Sequence, residues 1–456
     1  MYAKNAWEKY KGDSLDELMK FNEEYKEFIS LCKTEREAVQ FSVELAEKYG
    51  FKELSEYETL KPGDKVYATN REKNICVFIM GEEPLEKGLN VLGAHIDSPR
   101  LDIKQNPLYE RNGYAMLDTH YYGGIVKYQW VARNLAIHGV LCKKDGITVE
   151  VNIGEDLDDP VLCITDLLPH LAADKLSKPA AKTIDGEDLD LTIGHMPLEG
   201  EEKDAVKANI LKLLKDKYDV EEEDFISAEL EIVPAGKARD LGLDRSMIIG
   251  YGHDDRVCAY TSLRAILDST TSKRTICAYL VDKEEVGSIG ATGAQSTWYS
   301  DVLAEMIAKE GTYNDLKLRR AMSNTRMLSS DVSAGFDPLY PSVFEAKNAA
   351  YLGNGITFNK YTGARGKSGC NDTSAEFVRD VRKVMDDNNI NYQTAELGRI
   401  DVGGGGTIAY IMGNQNMNVL DAGVPVLSMH APNEVVSKVD VYEAYLAYKA
   451  FVKDIQ

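Results

Sequence analysis

Five short segments of this 456-residue chain each close an apolar run with side chains able to bind a cation. They are GAHIDSPRLDIK (93–104), GYGHDDR (250–256), VDKEEVGS (281–288), SSDVSA (329–334) and VLSMHAPNEV (426–435). Their candidate ligands are His95, Asp254, Glu285, Asp331 and His430. Two imidazoles and three carboxylates are nitrogen and oxygen donors that Zn²⁺ accepts, and Co²⁺ or Mn²⁺ suits the same donors. Three carboxylates and one hydroxide balance two divalent ions. Such a site can be shielded from bulk water without a large uncompensated charge.

The neighbours of these residues sharpen the chemistry. His95 and Asp97 are two apart, so in an extended segment they share a side, and the carboxylate can take the imidazole proton that a metal does not need. A buried histidine beside a surface aspartate is the plain alternative for that pair alone. Glu284 and Glu285 are adjacent, and in an extended segment they point in opposite directions and cannot share one task. A Glu-Glu pair is ordinarily a solvated surface feature, but this one follows the apolar run TICAYLV (275–281). Two glycine clusters, GSIGATG (287–293) and VGGGGT (402–407), have neither a P-loop lysine nor dinucleotide-binding spacing. The second is expected to line a pocket, where a missing Cβ lets a peptide backbone approach.

The elements that must position these residues follow a rhythm. KVYAT, ICVFIM and NVLGAHI read as short strands, the last ending at His95, and the pattern returns at RSMIIG, TICAYLV, 326–330 and 424–429. Each run stops where a motif begins, so the candidate ligands are expected at the carboxyl ends of strands, the usual binding crevice of an α/β sheet. Helices are expected around Thr34 and Glu37 (a capping box), over RVCAYTSLRAILDS with Val257, Tyr260, Leu263 and Leu267 on one face, and after Ser437 and Asp440 at capping spacing. Between 105 and 244 the texture changes to strand-like GITVEVNI and SAELEIVPAG around an acidic, loop-rich middle and one amphipathic helix, AVKANILKLLKDKY. The reading is an α/β catalytic domain (1–104 and 245–456) with a mixed sheet covered by helices, plus an inserted β-rich domain (105–244).

Composition excludes more than it selects. A chain of this length with 44% hydrophobic residues exceeds the roughly 250–300 residues of a single core. A net charge of −21 argues against nucleic acid and anionic lipid as partners. Seven cysteines without a CxxC pair suit a reducing cytoplasm. There is no signal-peptide core and no apolar stretch of about 18 residues, so neither secretion nor a membrane partner is expected.

The order His-x-Asp, Asp-Asp-Arg, Glu-Glu, a lone Asp and a late His resembles the co-catalytic zinc aminopeptidases. Glu-Glu-Val-Gly-Ser, Ser-Met-His, GGIVKYQWVARNLAIHGVL (123–141) and LLPHLA (167–172) narrow the resemblance to the M18 family, over the whole chain. That resemblance implies two divalent metal ions, zinc first. His95 and Asp331 would hold one ion, Glu285 and His430 the other, with Asp254 bridging and the Asp254–Asp255 peptide cis. Glu284 would take a proton from the attacking water and pass it to the leaving amine. His170, in the inserted dimerisation domain, would stabilise the reacting carbonyl oxygen in the neighbouring subunit.

The resemblance further implies peptide substrates and a homo-oligomer built from dimers into a dodecamer. An acidic first residue would need a cation in its pocket, and Lys360, Arg365 and Lys367 in NKYTGARGKSGCND (359–372) are the candidates. His120, His138 and His195 are expected to be structural, and the role of His253 is open. Two other readings share the features: a carboxypeptidase or N-acyl amino acid deacylase with the same metal set, and an oligomeric scaffold keeping a relic site.

Overall fold

The computed structural model describes residues 4–270 and 272–455. The chain forms two compact units, Met1–Asp97 with Ala238–Met429 and Glu434–Gln456, and Ser98–Lys237 with His430–Asn433. These junctions fall a few residues before the expected 105 and 244.

The first unit begins with helices α1 (Asp13–Leu31) and α2 (Glu35–Lys48). The Thr34 side chain accepts from the Glu37 backbone N–H at 3.2 Å, and Glu37 accepts in return from Thr34 N–H, so the capping box forms as spaced. A nine-stranded mixed sheet follows. Its centre contains β1 (Lys65–Asn70), β2 (Asn74–Ile79), β3 (Asn90–His95), β4 (Ile276–Val281) and β5 (Arg326–Ser329). Across the sheet the order is β1-β2-β4-β3-β5, continuing to Asn418–Gly423. β4 and β5 flank β3 in parallel, with Val281 opposite His95 and Ser329 opposite Gly93. All residues of β2, β3 and β4 are buried, as expected of strands covered on both faces.

Two strands expected in this rhythm lie elsewhere. Met247–Gly250 and Pro425–Leu427 belong to a separate five-stranded sheet, which also includes Glu434–Ser437. Helix α3 (His253–Leu267) buries every residue except Arg264, because it packs against α1, against β3 and against the last helix, α4 (Lys438–Asp454). The helix forms where expected with Val257, Tyr260, Leu263 and Leu267 buried, and its other faces are buried as well, which makes it a central helix. The expected cap of α4 also fails. The Asp440 carboxylate accepts instead from Gly353 N and Gly355 N, at 2.7 Å each, tying α4 to a distant turn.

The second unit is a six-stranded sheet ordered Thr148–Ile153, Leu135–Cys142, Ala228–Pro234, Arg100–Arg111, Tyr114–Tyr122 and Leu191–Gly194. Its neighbouring strands run antiparallel. A single longer helix, Ala205–Tyr218, packs on it with the bounds the apolar spacing gives. Among the described residues no helix is long and apolar enough to cross a membrane.

Candidate metal centre

Three parallel neighbours, β3, β4 and β5, end side by side, and the residues just past their ends meet. β3 ends on His95, β4 runs into the turn Glu284–Val286, and β5 precedes Asp331. Asp254 arrives from the opening turn of α3, where Asp254 and Asp255 depart from helical geometry. The peptide between them is cis, as the resemblance implies.

Metal-binding atoms of His95, Glu284 and Asp331 lie within 4.8 Å of one another, as do those of His95, Asp254 and Glu285, and those of Asp254, Asp255 and Asp331. The two glutamates take different groups of neighbours. Their segment is not extended: Lys283 sits at φ 70° and the chain turns into a short 3₁₀ helix. The expected division of their tasks thus rests on turn geometry in place of strand alternation.

The imidazole of His95 is fixed from both sides. Nδ1 lies 3.0 Å from the Asp97 carbonyl oxygen and 3.3 Å from its carboxylate, while Nε2 lies 3.1 Å from Asp254 Oδ1 and 3.8 Å from Glu284 Oε2. Asp97 has a second task that its spacing from His95 does not reveal. Its two carboxylate oxygens accept from the backbone N–H groups of Glu284 and Glu285, at 3.1 Å each, so one side chain joins the end of β3 to the glutamate turn after β4. Glu434 Oε2 accepts from Asp254 N–H at 3.0 Å, and Asp255 Oδ2 from His95 N–H at 3.2 Å.

The electrostatics are those of negative charge gathered out of water. Burial raises the Asp255 carboxyl well above the ordinary range, and the nearby Asp331 and Asp254 add to the shift. Asp331 is half-buried, and its carboxyl is likewise raised, by burial first and then by Glu284. For His95, burial opposes protonation, but the bonds to Asp254 and Asp97 outweigh it and hold the imidazole well above its usual value. Nε2 of His95 and Oδ1 of Asp254 face each other at 3.1 Å. Bond lengths of about 2.0–2.2 Å put two ligands of one zinc ion roughly 3–3.5 Å apart, and the 3.1 Å separation fits that span. By donor type, spacing and charge, the residues fit divalent metal.

The remaining candidates fall elsewhere. His430 joins none of these groups among the described residues; it stands with Ser98–Lys237, its Nδ1 3.2 Å from the Gly124 carbonyl oxygen. His170 is exposed in the turn Pro169–Leu171 of the second unit. His253 is buried, 2.6 Å from the Tyr25 hydroxyl, and burial followed by the Arg256 charge lowers it to about 3. It packs against the Tyr25 ring and joins none of these groups among the described residues. His138 is buried with Nε2 3.0 Å from Glu155. Lys360 and Lys367 both pair with Asp372, and Lys367 also lies 3.8 Å over the Tyr361 ring. Arg365 is exposed and forms no ion pair among the described residues. The Gly403–Gly404 pair packs against Leu397 and Ala364, so close that a Cβ on Gly404 would lie 2.5 Å from the Ala364 Cα.

A sequence model of the family described as "Aminopeptidase I zinc metalloprotease (M18)" matches residues 28–452. The chain is 57% identical over 456 residues to a probable M18 family aminopeptidase 1 of Clostridium acetobutylicum, covering 99% of this chain and 98% of the relative. The crystal structure of the M18 aminopeptidase from Thermotoga maritima superposes with a TM-score of 0.96 at 44% identity, over 99% of both chains. The S. cerevisiae mApe1 dodecamer structure, at 22% identity and a TM-score of 0.77 over 94% of this chain and 96% of that one, shares the fold. Fold and site together define a metal-dependent peptide hydrolase. The chain belongs to the M18 family and is an aminopeptidase.

Proposed function

We propose that the chain removes single N-terminal residues from short peptides with two divalent metal ions, zinc first and Co²⁺ or Mn²⁺ as substitutes. The observation that carries this reading is the meeting of His95, Asp254, Glu284, Glu285 and Asp331 at three adjacent strand ends and one helix start. In this reading His95, Asp254, Glu285, Asp331 and His430 hold the ions, and Asp97 keeps the His95 ring and the glutamate turn in register. When bound, the metal ions supply Lewis acidity that lowers the pKa of water towards about 7 and polarises the scissile carbonyl. Glu284, half-buried and outside the ligand set, accepts the water's proton and delivers it to the departing amine.

His170, flanked by the exposed Leu167, Leu168 and Leu171, is read as the group a neighbouring subunit receives. Unit 98–237 is then the dimerisation element, and dimers build a dodecamer like the mApe1 assembly. The free cysteines favour a cytoplasmic setting. With Lys360 and Lys367 occupied by Asp372, Arg365 is the cation left to meet an acidic first residue.

The test is mass spectrometry of a mixed peptide pool incubated with chelated protein, with and without restored Zn²⁺, Co²⁺ or Mn²⁺. Stepwise loss of N-terminal residues only with metal is the expected result. The residues lost fastest report the pocket, acidic ones being expected first. Cleavage of N-acetylated peptides would replace this reading with a deacylase.

A further inference from the structure

The turn that carries Glu284 and Glu285 opens a loop that departs at Asp282, just past β4, and returns to Asp282 at Thr292 and Gly293. Lys283 and Ser288 both adopt positive φ, 70° and 60°, and Ser288 N–H donates to the Lys283 carbonyl at 2.7 Å, coiling the loop on itself. Gly293 completes the coil; a Cβ there would lie 2.2 Å from the Ser288 carbonyl oxygen. At the return, Asp282 and Gly293 form an isolated bridge. The Thr292 hydroxyl donates to Asp282 Oδ2 at 2.6 Å, with both residues buried.

The returning limb is also held from outside. Asn74 at the start of β2 donates its side-chain amide to the Thr292 carbonyl at 2.6 Å, and Asn70 at the end of β1 donates to the Ala291 carbonyl at 2.8 Å. The loop is therefore fixed at its start by Asp97 and at its finish by the β1–β2 turn, and the Thr292–Asp282 bond links finish to start. That link adds a buried side-chain tie to the backbone bonds from Asp97, the Ser288–Lys283 bond and the Asp282–Gly293 bridge that shape the glutamate turn.

We propose that Thr292 is a positioning residue for Glu284: its hydroxyl bonds to Asp282 while Asn74 holds its backbone carbonyl, and together they fix the turn that aims the proton-transferring carboxylate. This rests on the reading of Glu284 given above. A carboxylate two residues into an unbraced loop would sample many positions, and misplacement of a reacting group by about 1 Å costs up to about a hundredfold in rate. Valine at 292 keeps the shape and removes the donor, whereas serine keeps the donor.

The experiment measures kcat and KM of the metal-loaded holoenzyme on Leu- and Asp-leading peptides, with metal content and thermal midpoint recorded for each variant. Thr292→Val is expected to lower kcat about tenfold with KM within about twofold and metal content unchanged, and Thr292→Ser to restore kcat to within about twofold. In a Glu284→Asp background, where the carboxylate is already displaced, Thr292→Val should add less than about a twofold loss. Wild-type kcat in Thr292→Val, or an undiminished tenfold loss in the Glu284→Asp background, overturns the proposal. Should Thr292→Val not fold, Asn74→Ala is read in its place: a lowered kcat at constant KM supports the brace, and an unchanged kcat overturns it. Failure of the underlying reading looks different, since wild-type protein would then release no residue or Glu284→Gln would turn over normally.

Discussion

Negative charge is managed in opposite ways at the strand-end cluster and in the 359–372 loop. In the cluster, Asp254, Asp255 and Asp331 lie close together, and burial plus mutual repulsion raises the Asp255 and Asp331 carboxyls. In the loop, Asp372 is exposed and hydrogen-bonded by Lys360 and Lys367, which hold it below its ordinary value. An exposed carboxylate flanked by lysines has its counter-charge supplied by the chain. A largely buried set flanked by further carboxylates and one imidazole is stable as anions only with cations brought in, and its spacing suits divalent ones. The difference separates a cluster whose charge calls for cations from a carboxylate whose counter-charge the chain already supplies.

The contrast can be broken most severely at Glu284. Glu284→Gln is expected to lower kcat by about 10²–10⁴ while metal content, read by elemental analysis, stays at the wild-type level. Loss of metal in that variant would instead make Glu284 a ligand. His170→Ala should cost about 10²–10³ in kcat. Mixed oligomers of His170→Ala and Glu284→Gln subunits should regain activity that neither parent has, because some sites then draw both intact groups from different chains. No regain on refolding the two together would confine His170 to its own subunit or to a structural role.

A smaller effect is expected at Arg365. Its replacement by alanine should raise KM about tenfold for Asp-leading peptides and leave Leu-leading peptides unchanged, as for loss of one charged contact. Equal effects on both would detach this arginine from selection of the first residue. Smallest of all is Asp372→Asn, which should lower stability by less than about 1 kcal/mol at pH 7. The Asp372 carboxyl is depressed in the folded chain, so its contribution is present above the unfolded value of 3.8 and is lost as pH falls through the folded value. Urea midpoints of variant and wild type should therefore differ slightly at pH 7 and converge once the pH has fallen below the depressed folded value.

Local signals were legible wherever the chain's own periodicity or spacing carried them. The capping box at Thr34 and Glu37, the helix Ala205–Tyr218 and the strands ending at His95 and Val281 are all short-range patterns. Partners far along the chain were not legible. Nothing near Asp97 announces that its carboxylate will receive Glu284 and Glu285 N–H groups nearly 190 residues later. Asp440 has the spacing of a helix cap, yet its oxygens serve Gly353 and Gly355, because burial beside two backbone donors outcompetes its own helix. Lys360 and Lys367 carry the charge a substrate pocket would need, but Asp372 lies near enough to claim both.

What the sequence by itself determined is the kind of chemistry and its address: donor types, the order of motifs and their place after apolar strands, all fixed by side-chain identity and local periodicity. The tertiary structure alone decided which strand ends are neighbours. β4 and β5 flank β3 although they lie some 180 and 230 residues beyond it, while Met247–Gly250 joins another sheet. Hydrogen-bonded strand pairing depends on edges meeting in space, and an edge leaves no mark on the residues that will face it.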